Sequence, residues 1–358
     1  MSAQQPPQHV VDDGSADPTW KLAHHARRLE SVRTTDGRRV GRPDRDLAIE
    51  LVRATEAAAI LAAPWIGRGD KLAADGAAVD AMRAFLATVE FDGVVVIGEG
   101  EKDAAPMLFN GERIGTGEGP AADIAVDPID GTSLTAQGRQ NALSMIAVAD
   151  RGAMLDASAV FYMEKLVTGE EGIGVVDLRR PIADNISALA AAKGKRVSDM
   201  VVAVLDRPRH ADLIEEIRAA GATTALLLDG DVAGGINAAM EDSDVDICAG
   251  TGGSPEGVMT ACAVKALGGH IQARLAPGTD AERARAAAAG LDVGRVLEAD
   301  DLVAGDNTLF VATGVTDGAL VHGVRRRGST VRTESIVLRS RSGTVRRIAA
   351  THRAERWY

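Results

Sequence analysis

Aromatic residues are scarce in this chain. Phe, Trp and Tyr make up 3% of its 358 residues, so its interior must be built from Ala, Val, Leu and Ile. Cysteine is scarcer still. Cys248 and Cys262 are too few for a disulfide scaffold or a Cys-based zinc site. Both lie among apolar or small neighbours and read as small buried hydrophobes in a reducing cytoplasm. No run approaches the ~20 apolar residues of a membrane helix. Residues 1–45 lack the apolar centre of a secretory signal and read as a disordered polar extension, with His9, His24 and His25 scattered in a solvated tail. No G-x-x-x-x-G-K-[ST] and no G-x-S-x-G occurs, which argues against a P-loop nucleotidase and an α/β-hydrolase.

Positive charge is in deficit, and unevenly so. The net charge is −11, from 40 basic and 51 acidic residues. Residues 1–45 carry +2 and residues 322–358 carry +8, which leaves −21 for residues 46–321. So acidic a body binds nucleic acid poorly. It also repels a phosphorylated substrate unless divalent cations reverse the local field. The basic C-terminal run interleaves Arg with strand-like "ESIVLRS" and "GTVRRIAATHR" around Ser342-Gly343, which reads as an Arg-decorated hairpin or subunit contact.

What is present is an α/β alternation. The body begins near Asp46 with "DLAIELVRATEAAAILAAPWIG", where Leu47, Leu51, Ala54, Ala58 and Leu61 share a helical stripe. "GRGDKLAADG" interrupts, and "AAVDAMRAFLATVE" resumes a helix with Asp75 at the N-cap position. Strands follow in "GVVVIGEGEKD", "DIAVDPIDGT" and "ALSMIAVADRG". After a loop-rich middle come a strand in "MVVAVLDRPRH", a strand and helix in "ATTALLLDGDVAGGINAAM", and a strand, glycine-rich loop and helix in "DVDICAGTGGSPEGVMTACAVKALGG". A boundary near 195/196 divides the body into two lobes, 46–195 and 196–358, the second ending in the Arg-rich hairpin. Most charged motifs follow strand ends, where open α/β sheets bind ligands.

Asp127 and Asp130 close one such strand. Pro128 holds Asp127 extended, and Asp130-Gly131 makes a turn before Thr132. Two acids this close point to a cation, or to a structural turn in which they accept local N–H groups. Glu99 and Glu101 follow another strand, and Asp75 and Glu256 add carboxylates from two further segments. Oxygen ligands without His or Cys suit Mg²⁺ or Mn²⁺ rather than zinc. Two such ions ~3.5–4 Å apart can clamp a phosphoryl displacement. Arg207 and Arg209, stiffened by Pro208, are the basic counterpart, either for phosphate or as surface ion pairs. His210 beside them reads as a helix-start residue. Asp229 and Asp231, flanking Gly230, can accept from sugar hydroxyls, and Asp231 can also serve as a helix N-cap.

In this order, "GRGDK…ADGAAVDAM", "VVVIGEGEKDAAPML", "DPIDGT", "DRPRH", "DGDVAG" and "GGSPEGV" resemble the class II fructose-1,6-bisphosphatases of the bacterial GlpX type, from about Asp46 to about His352. The resemblance implies a layered α/β/α/β/α sugar-phosphatase sandwich of two lobes, an N-terminal metal- and phosphate-binding lobe (46–195) and a C-terminal sugar-phosphate-binding lobe (196–358). It implies metal-dependent hydrolysis of the 1-phosphate of fructose 1,6-bisphosphate in gluconeogenesis, with two or more Mn²⁺ or Mg²⁺ ions. Carried over by motif, Asp75 and Glu99 resemble ligands of one metal, and Asp127, Asp130 and Glu256 ligands of another. Thr132 resembles the catalytic threonine, with Lys71 and Glu101 as helpers. Substrate contacts fall on Asp130, Gly131, Thr132, Tyr162, Arg207, Pro208, Arg209, Asp229, Gly230, Asp231 and Gly253. Thr251 stands where a larger aliphatic residue is expected. The alternatives are a sedoheptulose 1,7-bisphosphatase, an inositol-monophosphatase-like enzyme, or a non-catalytic sugar-phosphate sensor. The partner is a small sugar bisphosphate, with neither nucleic acid nor membrane involved. The Ala-rich helices and Arg-rich hairpin are compatible with a homo-oligomer, a tetramer or dimer.

Overall fold

The computed structural model describes residues 47–99 and 108–357, together with two short strands, β1 (Val32–Arg33) and β2 (Arg39–Val40), paired antiparallel. The rest of the expected N-terminal extension lies outside the described residues, as does Glu101. Residues Asp46–Tyr358 form one compact unit, separate from Met1–Arg45.

The unit opens with α1 (Leu47–Ala62), which buries Leu51, Ala54 and Ala58 of the expected stripe. Helix α2 (Lys71–Leu86) starts earlier than its apolar pattern suggests. Asp70 caps it by accepting from the Ala73 N–H at 3.0 Å, so Asp75 is not the N-cap but lies in the second turn. Strands β3 (Asp92–Ile97), β4 (Arg113–Ile114) and β5 (Ala121–Asp130) follow. Gly131, at φ 86°, turns β5 into the short α3 (Thr132–Gln137), and β6 (Leu143–Asp150) runs back. The middle is not loop-rich throughout. It holds β7 (Tyr162–Thr168) and α4 (Ile182–Lys193). Next come β8 (Val201–Leu205), α5 (Ala211–Ala219), β9 (Thr223–Leu227), α6 (Val232–Ala239) and β10 (Ile247–Gly253). The glycines expected in a loop belong to β10 itself, and α7 (Ser254–Leu267) begins directly after it. The chain closes through β11 (His270–Leu275), α8 (Asp280–Ala288), β12 (Leu297–Glu298), α9 (Ala299–Leu302), β13 (Leu309–Gly314), β14 (Arg325–Arg327), β15 (Thr330–Arg339) and β16 (Thr344–Arg353). Strands β15 and β16 form an antiparallel hairpin around Ser342-Gly343.

Two mixed sheets result. One has the order β14-β15-β13-β6-β5-β3-β4, with β16 also on β15; the other runs β12-β11-β7-β10-β8-β9. The chain leaves the first sheet after Asp150, enters the second at Tyr162, and returns to the first at Leu309. The 195/196 position falls just after α4, within the stretch that feeds the second sheet. Helices α1 and α2 cover the first sheet through a core that includes Leu51, Met82, Ile124 and Val311. Helices α6 and α7 lie between the sheets, against Met145, Met163, Val167 and Phe310. Helices α4 and α5 cover the second sheet over Leu166, Val202 and Ile247. This is a layered α/β/α/β/α sandwich.

Position in the layers explains composition. Helix α7 is enclosed by both sheets and is apolar or small on nearly all sides, with Cys262 buried in it. Helix α5, on the outside, buries only Ile214 and Ile217. Strand β5 is buried on both faces and reads as an apolar run from Ile124 to Val126, after the buried Asp123. Shortening a core residue such as Leu51 to Ala costs about 2–5 kcal/mol. The strand ends carry the site.

Candidate active site

The C-terminal ends of β3, β5, β8, β9 and β10 and the N-terminal end of β7 open onto one cavity of about 580 Å³. Glu99, Asp127, Asp130, Gly131, Thr132, Tyr162, Arg207, Arg209, Asp229, Gly230, Asp231, Gly253 and Glu256 all line it. Motifs spread over the chain thus meet because each follows a strand that ends there. Pro208 lines a neighbouring groove with Asp206 and Ala211 instead. Lys71 and Asp75, on α2, are not among the lining residues. Lys71 donates to Ser133 Oγ at 2.6 Å, next to Thr132, and Asp75 is close enough to Asp127 to raise its carboxyl pKa.

The acids divide by what neutralises them. Asp229 pairs with Arg207 at 2.5 Å, and Asp231 pairs with Lys165 at 2.6 Å. Among the described residues, Asp127, Asp130 and Glu256 have no cation at ion-pair distance. Loss of water pushes the Asp127 carboxyl well above the usual carboxylate range, and Asp130, Glu99, Glu256 and Asp75 push it further. Asp130 is raised chiefly by burial, then by Glu256, Asp231 and Asp229. Burial also raises Glu256, and Lys165 opposes the rise at both Glu256 and Asp130. Glu256 Oε2 is buried without a hydrogen-bond partner, an arrangement that costs free energy unless a cation or donor meets it. An all-oxygen set of this kind fits a hard divalent cation. Among the described residues no three such side chains converge as a finished ligand set, so the fit rests on donor chemistry.

Glycine lets these acids approach the backbone. A Cβ on Gly253 would stand 1.8 Å from Glu256 Oε2, and one on Gly230 would stand 2.3 Å from Asp130 Oδ1. At Asp130 the β5–β6 register shifts, which re-aims the strand end after Pro128.

The basic side is equally anchored. Besides Asp229, Arg207 donates to the Leu228 carbonyl at 2.5 Å. The Arg209 guanidinium lies 4.9 Å from the Tyr162 ring centroid and donates to the Thr251 carbonyl at 3.0 Å. His210 precedes α5 but has a larger task than starting it. Its Nδ1 meets the Leu205 carbonyl at 2.8 Å, and its Nε2 accepts from the Thr251 N–H at 2.8 Å. It therefore ties β8 to β10, and a Cβ on Gly250 would collide with its ring. Asp231 occupies the N-cap position of α6, but its side chain makes no capping bond.

Lys165 is the buried charge beside the cavity that motif reading misses. Its signal was a lysine inside the short run "YMEKLVT", in a segment read as loop-rich.

The glpX-encoded bacterial fructose-1,6-bisphosphatase family matches residues 45–352. Fructose-1,6-bisphosphatase 1 class 2 of Escherichia coli K12 is 46% identical over 325 residues, which span 87% of this chain and 96% of the relative. A fructose-1,6-bisphosphatase class 2 of Shigella flexneri matches with the same identity and coverage.

Proposed function

Because this chain belongs to the bacterial glpX-encoded fructose-1,6-bisphosphatase family, we propose that it hydrolyses fructose 1,6-bisphosphate to fructose 6-phosphate and phosphate in gluconeogenesis. The observation that carries this reading is the division of acids in one cavity. Asp127, Asp130 and Glu256 have no protein cation at ion-pair distance among the described residues, while Asp229 and Arg207 form a fixed polar pair beside them.

Asp127, Asp130 and Glu256 would hold one divalent ion, and Asp75 and Glu99 another. Mn²⁺ or Mg²⁺ in two or more sites would polarise the 1-phosphate and offset the clustered negative charge. Thr132, next to Asp130 and on the cavity wall, positions the attacking nucleophile. Lys71 steadies the start of α3 through Ser133. Arg207, Arg209 and Tyr162 hold the distal part of the sugar phosphate, and Gly131 and Gly253 offer close backbone contact. Asp229 and Asp231, across Gly230, accept from sugar hydroxyls. Glu101 and Pro208 would act around this core.

We also read the chain as a cytoplasmic homo-oligomer, a dimer or tetramer. Both cysteines are free and buried, which agrees with a reducing compartment. No helix among the described residues is long and apolar enough to cross a membrane.

The test is phosphate release from fructose 1,6-bisphosphate, sedoheptulose 1,7-bisphosphate and inositol monophosphate, each with Mn²⁺, Mg²⁺ or EDTA. Metal-dependent turnover is expected, fastest on fructose 1,6-bisphosphate. A preference for another substrate moves the assignment to that substrate. Binding of fructose 1,6-bisphosphate without any phosphate release makes the chain a sensor.

A further inference from the structure

Side chains alternate along a strand, so Met163, Lys165 and Val167 of β7 share a face. Met163 and Val167 belong to the apolar layer between the two sheets. Lys165 stands where that pattern calls for an apolar residue, and it is 4% exposed. Burying an ammonium there costs desolvation and side-chain entropy. The Lys165 Nζ lies 2.6 Å from Asp231 Oδ2 and donates to the Gly253 carbonyl at 3.2 Å.

The neighbouring backbone is cut to fit this pair. A Cβ on Gly252 would stand 2.1 Å from Asp231 Oδ2 and 2.8 Å from Lys165 Nζ. A Cβ on Gly257 would stand 2.2 Å from Met163 Sδ and 3.2 Å from Lys165 Cδ. Glycines from β10 and α7 thus clear the space that the lysine and its partner fill. A buried ion pair gives little net stability, since apolar residues of the same volume often do as well or better. The pair's place is more informative. Asp231 lines the cavity, whereas Lys165 is not among the residues that do.

We infer that Lys165 is a positioning residue for substrate recognition, holding Asp231 in one orientation as a charged acceptor for a sugar hydroxyl. This rests on the reading of the cavity as a sugar-bisphosphate site. It gives Lys165 a task beyond the charge it sets against Asp130 and Glu256. The ammonium grips Asp231 through Oδ2, so the carboxylate cannot swing toward the cation-binding acids. A hydroxyl entering the cavity meets an acceptor already charged and aimed.

The test compares wild type, Lys165→Met, Asp231→Asn and the double variant Lys165→Met/Asp231→Asn. Each is assayed on fructose 1,6-bisphosphate and on analogues lacking one hydroxyl at a time. Wild type is expected to lose about 10- to 100-fold in kcat/KM on one analogue, because the missing hydroxyl leaves a charged acceptor unmatched. In Lys165→Met the KM for the full substrate should rise about tenfold, and the penalty on that analogue should shrink to about threefold or less. The double variant leaves no buried charge unpaired. It therefore serves where Lys165→Met does not fold, and the same loss of discrimination is expected in it. In the double variant, which removes one charge of each sign, the half-activating Mn²⁺ concentration should stay within about twofold of wild type. Unchanged KM and discrimination in a folded variant overturn the inference, as does a wild type indifferent to every analogue. So does a shift in Mn²⁺ requirement with KM unchanged. A wild type that releases no phosphate from fructose 1,6-bisphosphate instead overturns the functional reading, and the role of Lys165 with it.

Discussion

Two sets of acids share one cavity and differ in what balances them. Asp229 and Asp231 each have a protein cation, Arg207 and Lys165. Asp127, Asp130 and Glu256 have none at ion-pair distance among the described residues, and burial and mutual repulsion raise their carboxyl pKa values. Residue type alone does not separate the sets. A carboxylate gripped by a fixed ammonium or guanidinium is a rigid, charged acceptor, suited to neutral hydroxyls. A desolvated carboxylate with no fixed partner favours whatever mobile cation can reach it.

The sharpest way to break this division is to neutralise one acid of the second set. Asp127→Asn should cut kcat by at least about 100-fold, and Thr132→Ala by a similar factor, in phosphate-release assays. Melting of the metal-free protein should not fall in Asp127→Asn, since the change removes a desolvated acid. An Asp127→Asn enzyme with more than about a tenth of wild-type turnover would contradict the assignment. A change in the first set should act differently. Asp229→Asn leaves Arg207 in place, so KM should rise about tenfold while kcat stays within about threefold. An equal fall in kcat for both variants would erase the distinction.

A pH titration of stability sharpens it further. The folded-state pKa values of Asp127, Asp130 and Glu256 lie above their unfolded values. Their contribution is therefore fully present below the ordinary carboxylate pKa, about 4, and is lost as pH rises through the raised values. Burial lowers the pKa of His210 and His270, which act the opposite way near neutral pH. Asp127→Asn/Glu256→Gln keeps both histidines and is the proper control. In EDTA, the wild-type melting temperature should fall by about 2 °C or more relative to this control between pH 5 and 8. Parallel curves would mean that the acids are not poised as described.

The smallest effect concerns buried groups that simply stay neutral. Burial pushes the thiols of Cys248 and Cys262 up to about 12. Iodoacetamide at pH 8 should leave both unlabelled in the native protein and label both in urea, as read by mass spectrometry. Rapid native labelling would show that the sandwich opens more readily than its packing implies.

The site was legible in the sequence wherever its parts are local. Asp127, Asp130 and Thr132 sit within one turn of a strand end, and Glu256 follows the glycines that admit it. The parts fixed by distant partners were not. Lys165 on β7 and Asp231 at the start of α6 are brought together only when α6 packs against β7. His210 becomes a strap rather than a helix start only because Thr251 is within reach of its ring. The start of α2 was misplaced because Gly76 looks like a break, yet a capping bond from Asp70 carries the helix through it. The fold class could be read from the alternating elements. The return of β13, β15 and β16 to the first sheet could not, because it depends on pairing β13 with β6 across half the chain.

The division of acids is tested most directly by counting bound Mn²⁺ from the electron paramagnetic resonance signal of the free ion, without substrate. Glu256→Gln should bind Mn²⁺ at least about tenfold more weakly than wild type, and Asp229→Asn should match wild type within about twofold. Equal weakening in both variants, or none in Glu256→Gln, would contradict the account.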